Sequence, residues 1–191
     1  CEATGDYGIP ATISTDPTTI SGIIGQNALA ATFDTELVHE LAVEASKQYR
    51  AVGVTMLLGP QIDLASNTIW FRTSGTYSED PALNRDLAAA YIDGMQSTYD
   101  ENGNDLGWGE DSVVTIVKHF VGTGASEGGR DDHSNEGKFI VFPGNNIEAH
   151  MIPFFDGAFN LAGATEVASG LMPSYGILYS EDESYGGFVG N

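Results

Sequence analysis

With 191 residues, 27 Asp plus Glu against 7 Lys plus Arg and a formal charge of -20, the chain repels nucleic acid and anionic membrane surfaces and favours an uncharged partner. A 41% hydrophobic content supplies a real core and sets it apart from disordered sequences. The single cysteine, Cys1, excludes an intrachain disulfide, and no run of about 18 apolar residues is present to cross a bilayer.

Residues 1–31 scatter Gly5, Gly8, Pro10, Pro17, Gly22 and Gly25 among small polar residues, which predicts loop with at most one short turn. Those first residues do not read as a signal peptide, and the lack of an initiating Met is expected of a chain that begins after processing or cleavage. From Asp34 to about Ala51 the pattern turns helical. Leu37, Leu41, Ala45 and Tyr49 recur at four-residue steps, Asp34 can cap the start, and Gly53 supplies a stop. Val54–Leu58 follows as a short buried strand ended by Gly59-Pro60.

Gln61–Pro81 reads as a long loop carrying Asp63, Asn67, Trp70, Phe71, Arg72, Tyr77, Glu79 and Asp80. Its aromatics beside Arg72 suit a sugar or aromatic-ligand pocket; equally, Trp70 and Phe71 can pin the loop while Arg72 pairs with Glu79. Asp80-Pro81 opens a second helix, marked by Leu83, Leu87, Tyr91 and Met95, to about Gln96. After a polar connection over residues 97–112 comes a continuous β-branched strand, Val113–Val121, and then a loop running to Gly144. Ile147–Leu161 is predicted as a third helix with Pro153 early or at a kink and Ile152, Phe155 and Phe159 inward. Thr165–Met172 is predicted as a further strand, and the tail from Tyr179 shows no closing element.

The chemistry gathers after Val113–Val121. Lys118 and His119 stand at the strand's end, followed by a glycine-rich loop with Glu127, Arg130, Asp131, Asp132 and His133. Neighbours on an ideal strand face opposite ways, so both enter one pocket only if the backbone turns there. With Arg72 and Arg130 they offer donors for several sugar hydroxyls; the alternative is a structural ion-pair network. Glu127 with Asp131 or Asp132 is a candidate carboxylate pair for glycoside hydrolysis, which needs a separation of roughly 5–9.5 Å. Asp131, Asp132 and His133 offer metal-ligand atoms but lack a full ligand set at a recognised spacing, and no metal is assigned. Gly124-Ala125-Ser126-Glu127-Gly128 matches G-x-S-x-G, yet GGRDDHSNEG after it does not read as the helix that a serine hydrolase's elbow requires.

Several segments in order carry a resemblance: ALAATFD, AVGVTMLLGPQIDL, FRTSGTYSEDP, YIDGMQ, VKHFVGTGASEGGRD, HMIPFF and LMPSYG, covering most of residues 22–180. They are similar to the N-terminal barrel domain of glycoside hydrolase family 3, which includes many β-glucosidases. The resemblance implies that Lys118, His119 and Arg72 bind hydroxyls of the terminal sugar. It also implies that Met172 and Tyr175 form a wall of the pocket and that Glu127, Arg130 and Asp131 support it. The family is retaining, with an aspartate nucleophile in an SDW-like motif on a later strand and a separate acid/base region. Neither occurs in these residues, so no catalytic residue is assigned and the chain alone is expected to be inactive.

There are departures. Gly75 stands where the family commonly has a glutamate three positions after the arginine, and Asn145–Ile147 lacks the usual arginine. These leave a noncatalytic carbohydrate-binding or structural remnant as the alternative. The expected fold is α/β, an incomplete TIM-type (β/α) barrel over 1–191, since eight units take about 250 residues and only three or four strand-helix steps are visible. The implied partners are the terminal sugar of a β-glycoside or oligosaccharide and completing polypeptide segments, not nucleic acid or membrane. No cofactor is needed, and the expected location is secreted or periplasmic.

Overall fold

The computed structural model describes residues 2–4, 25–179 and 188–189. In chain order its elements are β1 (Glu2–Thr4), α1 (Gln26–Ala30), α2 (Thr35–Ala51), β2 (Met56–Leu58), α3 (Pro81–Gln96), β3 (Val114–Phe120), β4 (Phe139–Val141), α4 (Ile147–Ile152), β5 (Gly170–Pro173), β6 (Ile177–Tyr179) and β7 (Phe188–Val189). Most of the predicted loop over 1–31 lies outside the described residues, but β1 and α1 are regular elements that the glycines and prolines concealed.

Local chemistry starts both long helices. The Asp34 carboxylate accepts the Leu37 amide at 3.0 Å and the Asp80 carboxylate accepts the Leu83 amide at 2.7 Å, each satisfying a donor that the first helical turn leaves open. Pro81 occupies a position where its missing N–H costs nothing. The buried stripe of α3 contains Leu87, Tyr91 and Met95 as predicted. That of α2 is rotated, with Val38, Ala42, Ala45, Ser46 and Tyr49 buried and Leu37 exposed. Small residues decide this face. A Cβ on Gly94 of α3 would come within 2.6 Å of the His39 carbonyl and 2.7 Å of the Ala42 Cβ, so the two helices approach through Gly94 and alanine.

Four strands form a parallel sheet in the order β1-β2-β3-β5, with Leu57 opposite Thr115 and Val117 opposite Leu171. Leu57, Val113 and Val117 lie beneath α2 and α3 in one core with Val38, Tyr49, Leu87, Ile92, Met95 and Phe154. Among the described residues the strands do not close on themselves, so the fold is an open α/β arrangement of the kind an incomplete (β/α) barrel presents. No helix there is long and apolar enough to cross a membrane.

The predicted Thr165–Met172 strand begins late, at Gly170. Glu166 adopts a left-handed conformation (φ 63°), and the preceding segment is tied down by the fully buried Gln96. Gln96 donates to Thr165 Oγ1 (3.2 Å) and the Val167 carbonyl (2.9 Å) and accepts from Thr115 Oγ1 (2.6 Å), the Ser169 amide (2.9 Å) and Ser169 Oγ (2.7 Å). The predicted third helix is α-helical only to Ile152 and continues as a wider π turn over Pro153–Ala158. Its phase therefore changes: Phe154 enters the core while Phe155 is 54% exposed and Ile152 and Phe159 are half-buried.

Beyond β3 the predicted loop contains β4, too short to show periodicity. It pairs in parallel with β6, and the tail that showed no closing element returns as β7 antiparallel to β6.

Candidate functional site

The site is built at the carboxyl end of β3. Register against β5 shifts between Lys118 and Phe120, and the Lys118–His119 and Phe120–Val121 peptides are cis. Both Lys118 and His119 are buried, 3% and 4% exposed, as neighbours on a strand covered on both faces are. The chain after β2 runs beside this end: the Lys118 amide donates to the Pro60 carbonyl (3.2 Å) and the Ile62 amide to the Lys118 carbonyl (2.8 Å).

That loop delivers Asp63, 1% exposed, onto His119. Asp63 Oδ2 accepts from His119 Nδ1 at 2.8 Å and from the His119 amide at 3.1 Å. On the other side of the ring, Arg72 Nη2 lies 3.2 Å from His119 Nε2 and donates to Gln61 Oε1 at 3.1 Å, while Gln61 Nε2 donates back to the Arg72 carbonyl at 3.3 Å. Arg72 also sits 6.0 Å over the ring of Trp70. Trp70 is buried and anchors the loop; Phe71 is exposed, so only one of the two aromatics expected to pin this loop does so. Asn84 of α3 holds the loop from below, its amide donating to the carbonyls of Asp63 (2.9 Å), Ile62 (3.3 Å) and Ser78 (3.4 Å).

Three of the residues singled out in the sequence, Arg72, Lys118 and His119, thus share one strand end. Met172 of β5 is the register partner of Lys118 and is half-buried. Tyr175 is exposed and packs edge-on against His133, ring centroids 5.0 Å apart. Asp131 accepts from the His133 amide at 2.7 Å and contacts its Nδ1 at 2.5 Å. Burial raises the Asp131 carboxyl, but the His133 hydrogen bonds and the charges of His133 and Arg72 outweigh this and leave it below the usual carboxylate range. Arg130 is exposed and lies over Gly128 of its own turn.

Glu127 goes elsewhere. It lines a cavity of about 310 Å³ with Phe139, Val141 and Tyr179, without Arg72, Lys118 or His119. Asp132, considered as its carboxylate partner, is buried and serves as a tie, with Oδ2 accepting from Thr123 Oγ1 (3.2 Å) and Ser174 Oγ (3.1 Å). Ligand atoms of Asp131, Asp132 and His133 lie within 4.8 Å of one another, with His133 Nδ1 2.5 Å from Asp131 Oδ1 and 3.3 Å from Asp132 Oδ1. Ser126 is buried among 3₁₀ turns and spends its hydroxyl on the Thr123 carbonyl at 2.7 Å, which argues against a serine nucleophile.

Sequence reasoning missed Asp63, Gln61 and Asn84 as site-building residues. A signal existed for the first two. Polar Gln61 and Asp63 alternate with apolar Ile62 and Leu64 just past the end of β2, the same strand-end placement that drew attention to Lys118 and His119.

A sequence profile of the glycosyl hydrolase family 3 N terminal domain matches residues 6–172. The chain belongs to glycosyl hydrolase family 3. Among its relatives, the periplasmic beta-glucosidase/beta-xylosidase of Dickeya chrysanthemi is 41% identical over 186 residues, covering 90% of this chain and 26% of that protein. Beta-glucosidase C of Emericella nidulans is 41% identical over 182 residues, 88% of this chain and 27% of that protein. The chain thus spans about a quarter of the length of these curated relatives.

Solved structures agree on the fold. An exo-1,3/1,4-beta-glucanase from a Pseudoalteromonas species superposes with TM-score 0.69 at 20% identity, over 93% of this chain and 20% of that one. A Listeria innocua beta-glucosidase in complex with gluconolactone gives 0.66 at 22% identity, over 93% and 21%.

Proposed function

We propose that the chain is part of the N-terminal barrel domain of a retaining, exo-acting β-glycosidase, β-glucosidase-like, and forms the wall that grips the terminal sugar. The observation that supports this is the contact of Arg72 with His119 next to the buried Lys118, a donor-rich set at the end of one strand. Lysine and arginine only donate, and several fixed donors suit the oxygens of a hydroxylated, uncharged ligand. Met172 and Tyr175 extend the wall, with Asp131 and Arg130 supporting its rim and Glu127 farther out.

In this reading the two carboxylates that perform double displacement lie outside these 191 residues: one attacks the anomeric carbon, the other protonates the leaving oxygen and then activates water. This chain's residues orient the sugar for that attack, and its own turnover is nil. The chemistry needs no cofactor. The periplasmic Dickeya relative supports a secreted or periplasmic location.

Turnover of p-nitrophenyl β-glucoside by the complete polypeptide tests the proposal. Lys118→Ala is expected to lower kcat/KM roughly 10–100-fold, the scale of a hydrogen bond from a charged donor; an unchanged value would remove Lys118 from the sugar site. Glucose binding without turnover in the complete polypeptide would instead establish a noncatalytic carbohydrate-binding protein, the reading that Gly75 in place of the family's glutamate favours.

A further inference from the structure

We propose that Asp63 is a positioning residue that fixes His119 as the Nδ1–H tautomer, so that the Nε2 lone pair holds the Arg72 guanidinium in place. The inference rests on the sugar-gripping role proposed above but is carried by its own geometry. A neutral imidazole has one donor and one acceptor nitrogen, and the partners decide which is which. Nε2 faces Arg72 Nη2 at 3.2 Å, and a guanidinium has no acceptor, so Nε2 must accept. The proton then sits on Nδ1, 2.8 Å from Asp63 Oδ2. The same oxygen takes the His119 amide at 3.1 Å, so one carboxylate atom grips the residue by both backbone and ring and leaves the ring little freedom to turn.

Asp63 is itself fixed. Its carbonyl accepts from Asn84 Nδ2 at 2.9 Å and from Thr76 Oγ1, and its side chain is fully enclosed. The single Nε2 lone pair is taken by Arg72, so the proton on Nδ1 aligns Asp63, His119 and Arg72 in one file that fixes the guanidinium beside Lys118, and both of those side chains donate to the oxygens of a sugar.

Ring nitrogens of the full chain labelled with ¹⁵N-histidine report the tautomer directly in a long-range ¹H–¹⁵N correlation at pH 7.5, with His119 assigned from the signal lost in His119→Gln. The expected native signature is a protonated Nδ1 and a bare Nε2. Asp63→Ala should move the proton wholly or partly to Nε2 and weaken glucose binding about tenfold, the low end of what losing a supporting partner costs. Asp63→Asn, which keeps an oxygen acceptor, should retain the native tautomer. A native proton on Nε2 or on both nitrogens overturns the proposal, and so does an unchanged tautomer in Asp63→Ala. If Asp63→Ala does not fold, the native spectrum alone decides. The expected tautomer without any glucose response would sink the sugar-binding proposal and leave the role of Asp63 standing.

Discussion

Two histidine–aspartate pairs, their histidines close in sequence, differ in almost everything that matters energetically. His119–Asp63, at 2.8 Å, has side chains 5% and 0% exposed; His133–Asp131, at 2.5 Å, has them 54% and 19% exposed. The shorter contact is expected to contribute less to stability. Water screens the outer pair and would solvate either partner alone, whereas the inner carboxylate is the acceptor for two buried donors that nothing else can satisfy. Distance alone is therefore a poor guide to which pair a site depends on.

Asp63→Ala should separate the two pairs most strongly. Leaving the His119 amide and ring N–H without an acceptor is expected to cost about 3 kcal/mol in urea unfolding, and a loss under about 1 kcal/mol would mean that the inner pair is no stronger than the outer. His150 extends the comparison to a buried imidazole whose ring nitrogens have no hydrogen-bond partner among the described residues. Burial lowers its pKa to about 4, with the Asp63 charge opposing, from an ordinary value near 6.5.

The sign follows from which state takes the proton first. Between about pH 6.5 and 4 the unfolded chain is protonated at His150 and the folded chain is not, so stability present above 6.5 is lost as pH falls through this window, by roughly 3 kcal/mol in total. Unfolding curves at pH 7.5, 5.5 and 4.5 measure it. His150→Phe, beside Phe142, should flatten this part of the profile, and a variant as pH-dependent as the native chain would move the effect elsewhere.

The smallest effect belongs to Asp131→Ala. It should change stability by less than about 1 kcal/mol at neutral pH, less still in high salt. Because its folded pKa is lowered, its contribution is present above about pH 4 and vanishes only below, as pH falls through the folded value, a more acidic window than that of His150. Coincident losses for the two groups would contradict this separation.

The legible parts of the fold were those with enough residues to show a period or a cap. Asp34 and Asp80 announced both long helices, and the β-branched run of β3 announced the central strand. What stayed hidden depended on neighbours distant in sequence. The face of α2 was set by Gly94 of another helix, the late start of β5 by Gln96, and the three-residue strands β4 and β6 by each other. At the site, Lys118 and His119 stood out as charges at a strand end and Arg72 as a cation beside loop aromatics, while Asp63 looked like one more loop acid among 27 acidic residues. Its burial is a tertiary fact, produced by Asn84 and the end of β3.

The outer edge of β5 bears on how the protein behaves in a test tube. Among the described residues β5 ends the sheet order with Leu171 exposed, and in this chain handled apart from any completing segment that edge is a template for a second copy. Charge of -20 holds copies apart across a screening length of about 10 Å at 0.1 M salt, but only about 3 Å at 1 M. Concentrated salt therefore lets edges meet, and light scattering that climbs with ionic strength, together with a growing β signal in the infrared, would report colloidal assembly through this strand.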